Sequence, residues 1–170
     1  MKKYLLLGLI ALSFSSCEED LSVNNPAFEA TKNYDFWRAS KMQAFVKDGN
    51  LVLVGATDNE NVTLYVDSYE LGKEYLLGKT NYTIATYTKE LNDVVYSYST
   101  SSSTGSGYIK LDPVEKQVPG KISGVFMAEM TALDGKALPE TPSVNFNKGV
   151  FFQIPLTDAP VDTPVQPTLP

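Results

Sequence analysis

The sequence predicts an all-β fold: an antiparallel β-sandwich or, alternatively, a β-barrel, of about nine or ten strands. Three observations predict it. Short runs of alternating, β-branched and aromatic residues recur from Ala27 to Leu156. Turn-forming groups such as Asp48-Gly49-Asn50 stand between them, and these residue types tolerate positive φ. No convincing helix follows the first twenty residues, because Gly72 and Gly78 interrupt the one stretch with helical propensity, Leu71 to Leu77.

The elements follow in order. Phe28 to Thr31 alternates, and Asp35 to Ala39 holds the only Trp, Trp37, expected in the core. Met42 to Lys47 places Met42, Ala44 and Val46 on one side. Leu51 to Ala56 is apolar on both faces and reads as a strand covered on both sides. Asn61 to Asp67 turns Val62, Leu64 and Val66 inward and pairs with it as a hairpin. Glu74 to Leu77, Asn81 to Thr88, Val94 to Thr100 and Tyr108 to Asp112 are further strands. Lys121 to Ala132 is a long one, with Ile122, Gly124, Phe126, Ala128, Met130 and Ala132 on one side. The last runs from Val144 to Leu156, with Val150, Phe152, Ile154 and Leu156 expected on the buried side.

The segments outside this domain have their own chemistry. Met1-Lys2-Lys3 is a positive n-region, Tyr4 to Leu12 a short apolar run, and Ser13 to Ser16 small residues broken only by Phe14. The run is shorter than the ~20 residues a spanning helix needs, so 1–16 reads as a secretory signal. Ser15-Ser16-Cys17 resembles a bacterial lipobox, in which the thiol is lipidated and becomes the mature N-terminus; a plain cleavage site is the alternative. Two or more acyl chains hold a protein stably at a bilayer where one holds marginally. Residues 17–26 then form an acylated, acidic tether, 27–156 the β domain, and 157–170, with Pro160, Pro164, Pro167 and Pro170, a disordered or extended tail.

Composition excludes several classes of function. Losing Lys2 and Lys3 with the leader takes the formal charge from −6 to −8, which argues against nucleic acid as a partner. With Cys17 acylated no thiol remains for a disulfide, a metal or a nucleophile. There is no His, which removes Ser-His-Asp triads and most zinc sites. No cofactor, metal or catalytic residue is expected.

A series of short motifs runs along the domain. They are Phe28-Glu29-Ala30, Trp37-Arg38-Ala39, Leu53-Val54-Gly55, Val62-Thr63-Leu64, Gly72-Lys73-Glu74-Tyr75 and Ala85-Thr86-Tyr87. Then come Gly107 to Leu111, Ile122-Ser123-Gly124-Val125-Phe126 and Gly149-Val150-Phe151-Phe152. This order resembles a family of short Bacteroidetes outer-membrane lipoproteins whose single β-rich domain has no assigned function. The resemblance implies an envelope lipoprotein and supplies no catalytic residue. Glu18-Glu19-Asp20 resembles the surface-export signal of such proteins, so the cell surface is the expected address, with a periplasm-facing one as the alternative.

Candidate sites are few. Tyr65, Tyr82, Tyr96, Tyr98 and Tyr108 are the ligand-binding candidates, because exposed rings on a sheet stack on sugar faces; cross-strand pairing is the bland explanation. Asp58-Asn59-Glu60-Asn61 offers oxygen ligands without calcium-loop spacing and reads as a turn. Glu70, Glu74, Glu129 and Asp134 are the acids from which a carboxylate-based hydrolase would be built. The expectation is a non-catalytic lipoprotein, membrane-bound through its lipid, that binds glycan or an envelope protein. The alternatives are a structural subunit assembling by edge-strand pairing and the hydrolase.

Overall fold

The computed structural model describes residues 26–133, 137–139 and 141–158. The leader, Cys17, the tether up to Asn25, Asp134 and residues 159–170 lie outside the described residues. Eleven strands form one continuous sheet. They are β1 (Ala27–Lys32), β2 (Asp35–Arg38), β3 (Lys41–Lys47), β4 (Asn50–Ala56), β5 (Glu60–Val66), β6 (Glu74–Leu77), β7 (Ile84–Leu91), β8 (Val94–Ser99), β9 (Ser106–Leu111), β10 (Lys121–Ala132) and β11 (Ser143–Asp158). One 3₁₀ turn, Val114–Lys116, precedes β10.

The sheet folds into two layers because its two longest strands serve both. One layer has the order β2-β1-β11-β10-β9-β6, antiparallel throughout. The other is the meander β3-β4-β5-β7-β8. The C-terminal end of β10 crosses over to pair with β8 through Thr131 and Ala132. The end of β11 pairs with β3 through Leu156, Thr157 and Asp158. The sandwich and barrel alternatives therefore merge: two facing layers are joined along both sides. The β11–β3 pairing is parallel, the one departure from an antiparallel sheet. It also carries β11 two residues past Leu156, the expected end of the domain.

β11 can belong to both layers because it is bulged twice. Its register against β10 slips between Ile122 and Gly124 and again between Phe126 and Ala128. The extra residues sit at Gln153 and Lys148, both with φ of +50°. A bulge adds one residue and bends the strand, and each one shifts the side-chain alternation by one position. Phe151 is therefore fully buried and Phe152 exposed, which reverses the expectation for Phe152. The first bulge is held by side chains. The Ser123 hydroxyl accepts the Gln153 N–H at 2.9 Å. The Gln117 amide donates to the Asp112 and Ser123 carbonyls and accepts the Ser123 N–H.

The core lies between the layers and is aromatic. Phe28 packs edge-on against Trp37 at 5.9 Å and Phe126 at 5.4 Å. Phe146 meets Trp37 from its own layer and Tyr87 from the meander. Such contacts contribute roughly 0.5–1.5 kcal/mol each beyond area burial. Three glycines make room for the rings. A Cβ on Gly55 of β4 would stand 2.5 Å from the Phe28 ring, one on Gly149 would enter the Phe126 ring, and one on Gly124 would enter both the Phe151 ring and the Lys110 carbonyl. Gly124→Ala and Gly149→Ala are each expected to destabilise the domain by about 1–3 kcal/mol, the cost of overpacking a close-packed core. Urea unfolding would read this as a lower midpoint at unchanged slope.

Candidate functional site

The β1–β2 hairpin turns on two residues, Asn33 and Tyr34, since Lys32 pairs with Asp35. Both turn residues have positive φ, +45° and +77°, as a type I′ turn requires. Asn tolerates that region; for a bulky ring it is an outlier, and Gly is the relaxed choice. The other two-residue hairpins use Asp48-Gly49 and Asn92-Asp93. Tyr34 is also 98% exposed, so no packing of the ring compensates for the backbone. The turn itself is fixed: the Asn33 N–H donates to the Asn145 carbonyl, and the Asn33 Oδ1 accepts the Asn145 N–H at 2.8 Å. Beneath it, Trp37 Nε1 and Asn145 Oδ1 are buried without a partner. A strained turn and two unpaired buried polar atoms thus sit in one hairpin and its support.

The hairpin continues into the outer face of the six-stranded layer. Phe36 is 73% exposed, Leu76 55% and Phe152 40%. Leu76, Tyr108 and Met127 are cross-strand neighbours, as are Val125 and Val150. All but Leu76 of these five are half-buried. Charged groups flank them: Arg38 donates to Glu29 at 2.8 Å, and Lys110 and Glu74 are cross-strand neighbours on β9 and β6.

The five tyrosines singled out in the sequence do not form one platform. Tyr108 lies on the face just described. Tyr65 lies on the outer face of the meander, half-buried, and burial pushes its hydroxyl above the ordinary range. Tyr82 is 71% exposed in the segment before β7. Tyr96 packs against the core. Tyr98 is fully buried; its hydroxyl donates to the Thr141 carbonyl and accepts the Leu138 N–H at 2.8 Å. The expectation fails for Tyr98 because alternation along β8 turns it to the interior.

Among the described residues, the most buried charge is Glu60. Glu60 opens β5 after a turn in which the Thr57 N–H donates to the Glu60 carbonyl and the Thr57 hydroxyl accepts the Glu60 N–H. Lys32 Nζ donates to both carboxylate oxygens, at 2.5 and 2.6 Å, and Lys89 Nζ stands 3.3 Å from Oε1. Burial alone would raise the Glu60 carboxyl; the hydrogen bond and charge of Lys32, then Tyr87 and Lys89, outweigh it and hold the group below its ordinary range. Tyr87 is driven far the other way, by burial first and then by the charge of Glu60. The sequence marked Asp58 to Asn61 as a turn but gave no sign of this cage, since its lysines are 28 and 29 residues away in the chain.

Beside the cage is an open cleft of about 230 Å³, lined by Ala56 to Asn61, Thr88, Glu90 and Val95. Of its acids, Glu60 is engaged by two lysines. Among the other acids considered, Glu70 pairs with Lys73 and Glu129 accepts the Ser106 hydroxyl. Among the described residues, no three His, Cys, Asp or Glu side chains are grouped to hold a metal ion.

Residues 24–155 match the family model of a domain of unknown function, DUF6252. The chain belongs to that family. No curated protein matches it, and no solved structure does. The DUF6252 match contains both layers of the fold, and the motifs noted in the sequence fall at its contacts: Phe28 on Gly55, Phe126 on Gly149, Phe151 on Gly124, and Ser123 at the bulge.

Replacing Glu60 by Gln leaves Lys32 and Lys89 without their counter-charge and is expected to cost about 3 kcal/mol, the range for breaking a buried pair. A carboxylate whose folded pKa is depressed contributes stability that is present above its ordinary value of 4.5 and lost as pH falls through the folded value. Thermal melts of the parent and Glu60→Gln at a series of pH values should therefore draw together as the pH falls below 4.5 and through the depressed folded value.

Proposed function

We propose that this chain is a non-catalytic outer-membrane lipoprotein of a Bacteroidetes envelope, held by acyl chains on Cys17 and facing the cell surface. Its DUF6252 domain binds another envelope protein through the β1–β2 hairpin and the adjoining outer face. The observation that carries the binding half is Tyr34, a bulky ring held at positive φ in water at the tip of a pinned turn. The turn needs positive φ at this position but no bulky ring, and backbone strain of that kind is a pointer to function. A pinned turn presents the ring with little ordering left to do on binding. Across the adjoining outer face, Phe36, Phe152, Tyr108 and Met127 with a charged border have the composition of an interface centre and rim. The anchoring half rests on the short apolar leader ending in Cys17 and on the acidic residues after it.

A protein fits this face better than a glycan does. Phe36 and Phe152 lack a hydroxyl for sugar contacts, and apart from Tyr34 and Tyr108 the tyrosines discussed above do not lie on this face. Assembly by edge pairing is disfavoured, because the edge strands β2 and β6 are four residues long and carry Asp35, Arg38 and Glu74. Short, charged edges resist strand addition.

Two experiments test the halves separately. Cys17→Ser should end palmitate incorporation and move the protein from the membrane pellet to the soluble fraction; unchanged labelling and pelleting would overturn the anchor. A photo-crosslinker at Phe36 in cells should capture one envelope protein. Tyr34→Gly should abolish that capture while raising stability by about 1 kcal/mol, the cost of a non-glycine residue in the left-handed region. If Tyr34→Gly leaves capture intact, the face is not the binding site. If it instead removes signal on a glycan array, the ligand is a sugar.

A further inference from the structure

The β7–β8 hairpin stands clear of the sheet at its tip. Its turn is Asn92-Asp93, with φ of +52° and +61°. On one side the register with β5 stops at Lys89; on the other, that with β10 stops at Tyr98. Glu90 to Val95 therefore have only each other as strand partners among the described residues. Three of the six are apolar and stand in water: Leu91 is 43% exposed, Val94 46% and Val95 53%. Tyr87 and Tyr98 belong to the core, so alternation puts Leu91 and Val94 on the core side of the hairpin and Val95 on its outer side. Leu91 and Val94 face each other and form a cross-strand pair. Val95 faces Glu90, so pairing gives no reason for it to be apolar.

We propose that this tip and the cleft beside it are a docking site for a basic, apolar segment of a partner protein, in the opposite layer from the β1–β2 hairpin. Val95 is common to both, since it also lines the cleft. The cleft floor is the cross-strand row Ala56, Asn61 and Thr88, and its walls are the turn at Asp58 and the Glu90–Val95 pair. Its volume of about 230 Å³ falls below the roughly 300–1,000 Å³ of sites that enclose a small molecule, and suits a single long side chain. Charge decides which kind. Lys32 and Lys89 are both spent on Glu60. Asp58 and Glu90 line the cleft and Asp93 is at the tip, and among the described residues none of these three is in an ion pair. Against them stands Lys41, beside Ala56 in the register. An arginine suits this lining, because its fork of donors takes carboxylate and amide oxygens together, and Asp58, Asn61 and Glu90 offer such oxygens. Leu91, Val94 and Val95 then cover the apolar residues next to it. Complementary charge of this kind selects the partner and fixes its register.

Titration of the isotope-labelled full chain with a short peptide alternating arginine and leucine tests this by NMR. The peptide should move the amide signals of Asn61, Glu90, Leu91 and Val95 and leave those of Tyr108 and Phe152, in the other layer, in place. Val95→Thr and Glu90→Gln should each weaken binding about tenfold while keeping the parent's dispersed spectrum. If Val95→Thr loses that spectrum, Leu91→Thr takes its place with the same expectation. If a peptide alternating glutamate and leucine moves the same signals as far, charge plays no part and the proposal fails. If one alternating arginine and serine binds as tightly, the apolar tip plays no part and it fails as well. Movement of Tyr108 and Phe152 in their stead would put the peptide on the other layer and overturn the assignment. If phosphatidylglycerol vesicles move Leu91 and Val95 where the peptide does not, the tip is a membrane contact and the proposal fails. Signals that stay in place with every probe overturn it too.

Discussion

Phe126 lies over Gly149 and Phe151 lies over Gly124, so the β10–β11 pair exchanges ring for notch in both directions. Ring and glycine opposite each other let two strands pack a bulky core without spreading. The rest of the fold is built outward from this pair. β1 and β3 share one edge of β11; β8 and β9 share one edge of β10. The layers cannot slide apart, because each contains part of the same two strands. The bulges at Lys148 and Gln153 make this sharing possible by bending β11, and the Ser123 hydroxyl and Gln117 amide meet the backbone groups that the second of them displaces.

Much of this was legible from alternation alone. The side chains of β10 face as its period of two says, and Val62, Leu64 and Val66 are buried as expected. Alternation fails at β11, where nothing in Asn147-Lys148-Gly149 or Phe152-Gln153-Ile154 announces an inserted residue. A period of two carried through the bulge at Lys148 assigns the side chains up to the next bulge to the wrong face, so Val150 and Phe152 were expected inside; the bulge at Gln153 restores the phase, and Ile154 is buried as expected. Phe45 is a different case. Its neighbours place it correctly on the outer face of β3, but it is almost fully buried there, which depends on what lies beyond the sheet, and strand periodicity carries no information about that.

The candidate site was harder to read for a related reason. Asn33-Tyr34 lacks the glycine that marks a hairpin, so its turn left no trace in composition. The tyrosines drew attention as a residue type, but strand register decides which faces they reach, and register scattered them. The Glu60 cage joins β1, β5 and β7, and the topology that brings Lys32 to Glu60 passes through β11. The motifs that carried the family resemblance proved to be packing contacts, which is why they signalled a fold and were silent on a ligand.

The order in which the strands leave the ribosome gives the shared-strand design a temporal side. The meander from β3 to β8 consists of neighbours in sequence but for β6, which leaves for the other layer between β5 and β7, and such local contacts close early. The opposite layer has β11 in its middle, and β11 is synthesised last; Ala27 waits for Phe152. Until Ser143 to Asp158 has emerged, β1 and β2 have no strand to join them to β10, and the inner faces of the two layers wait open.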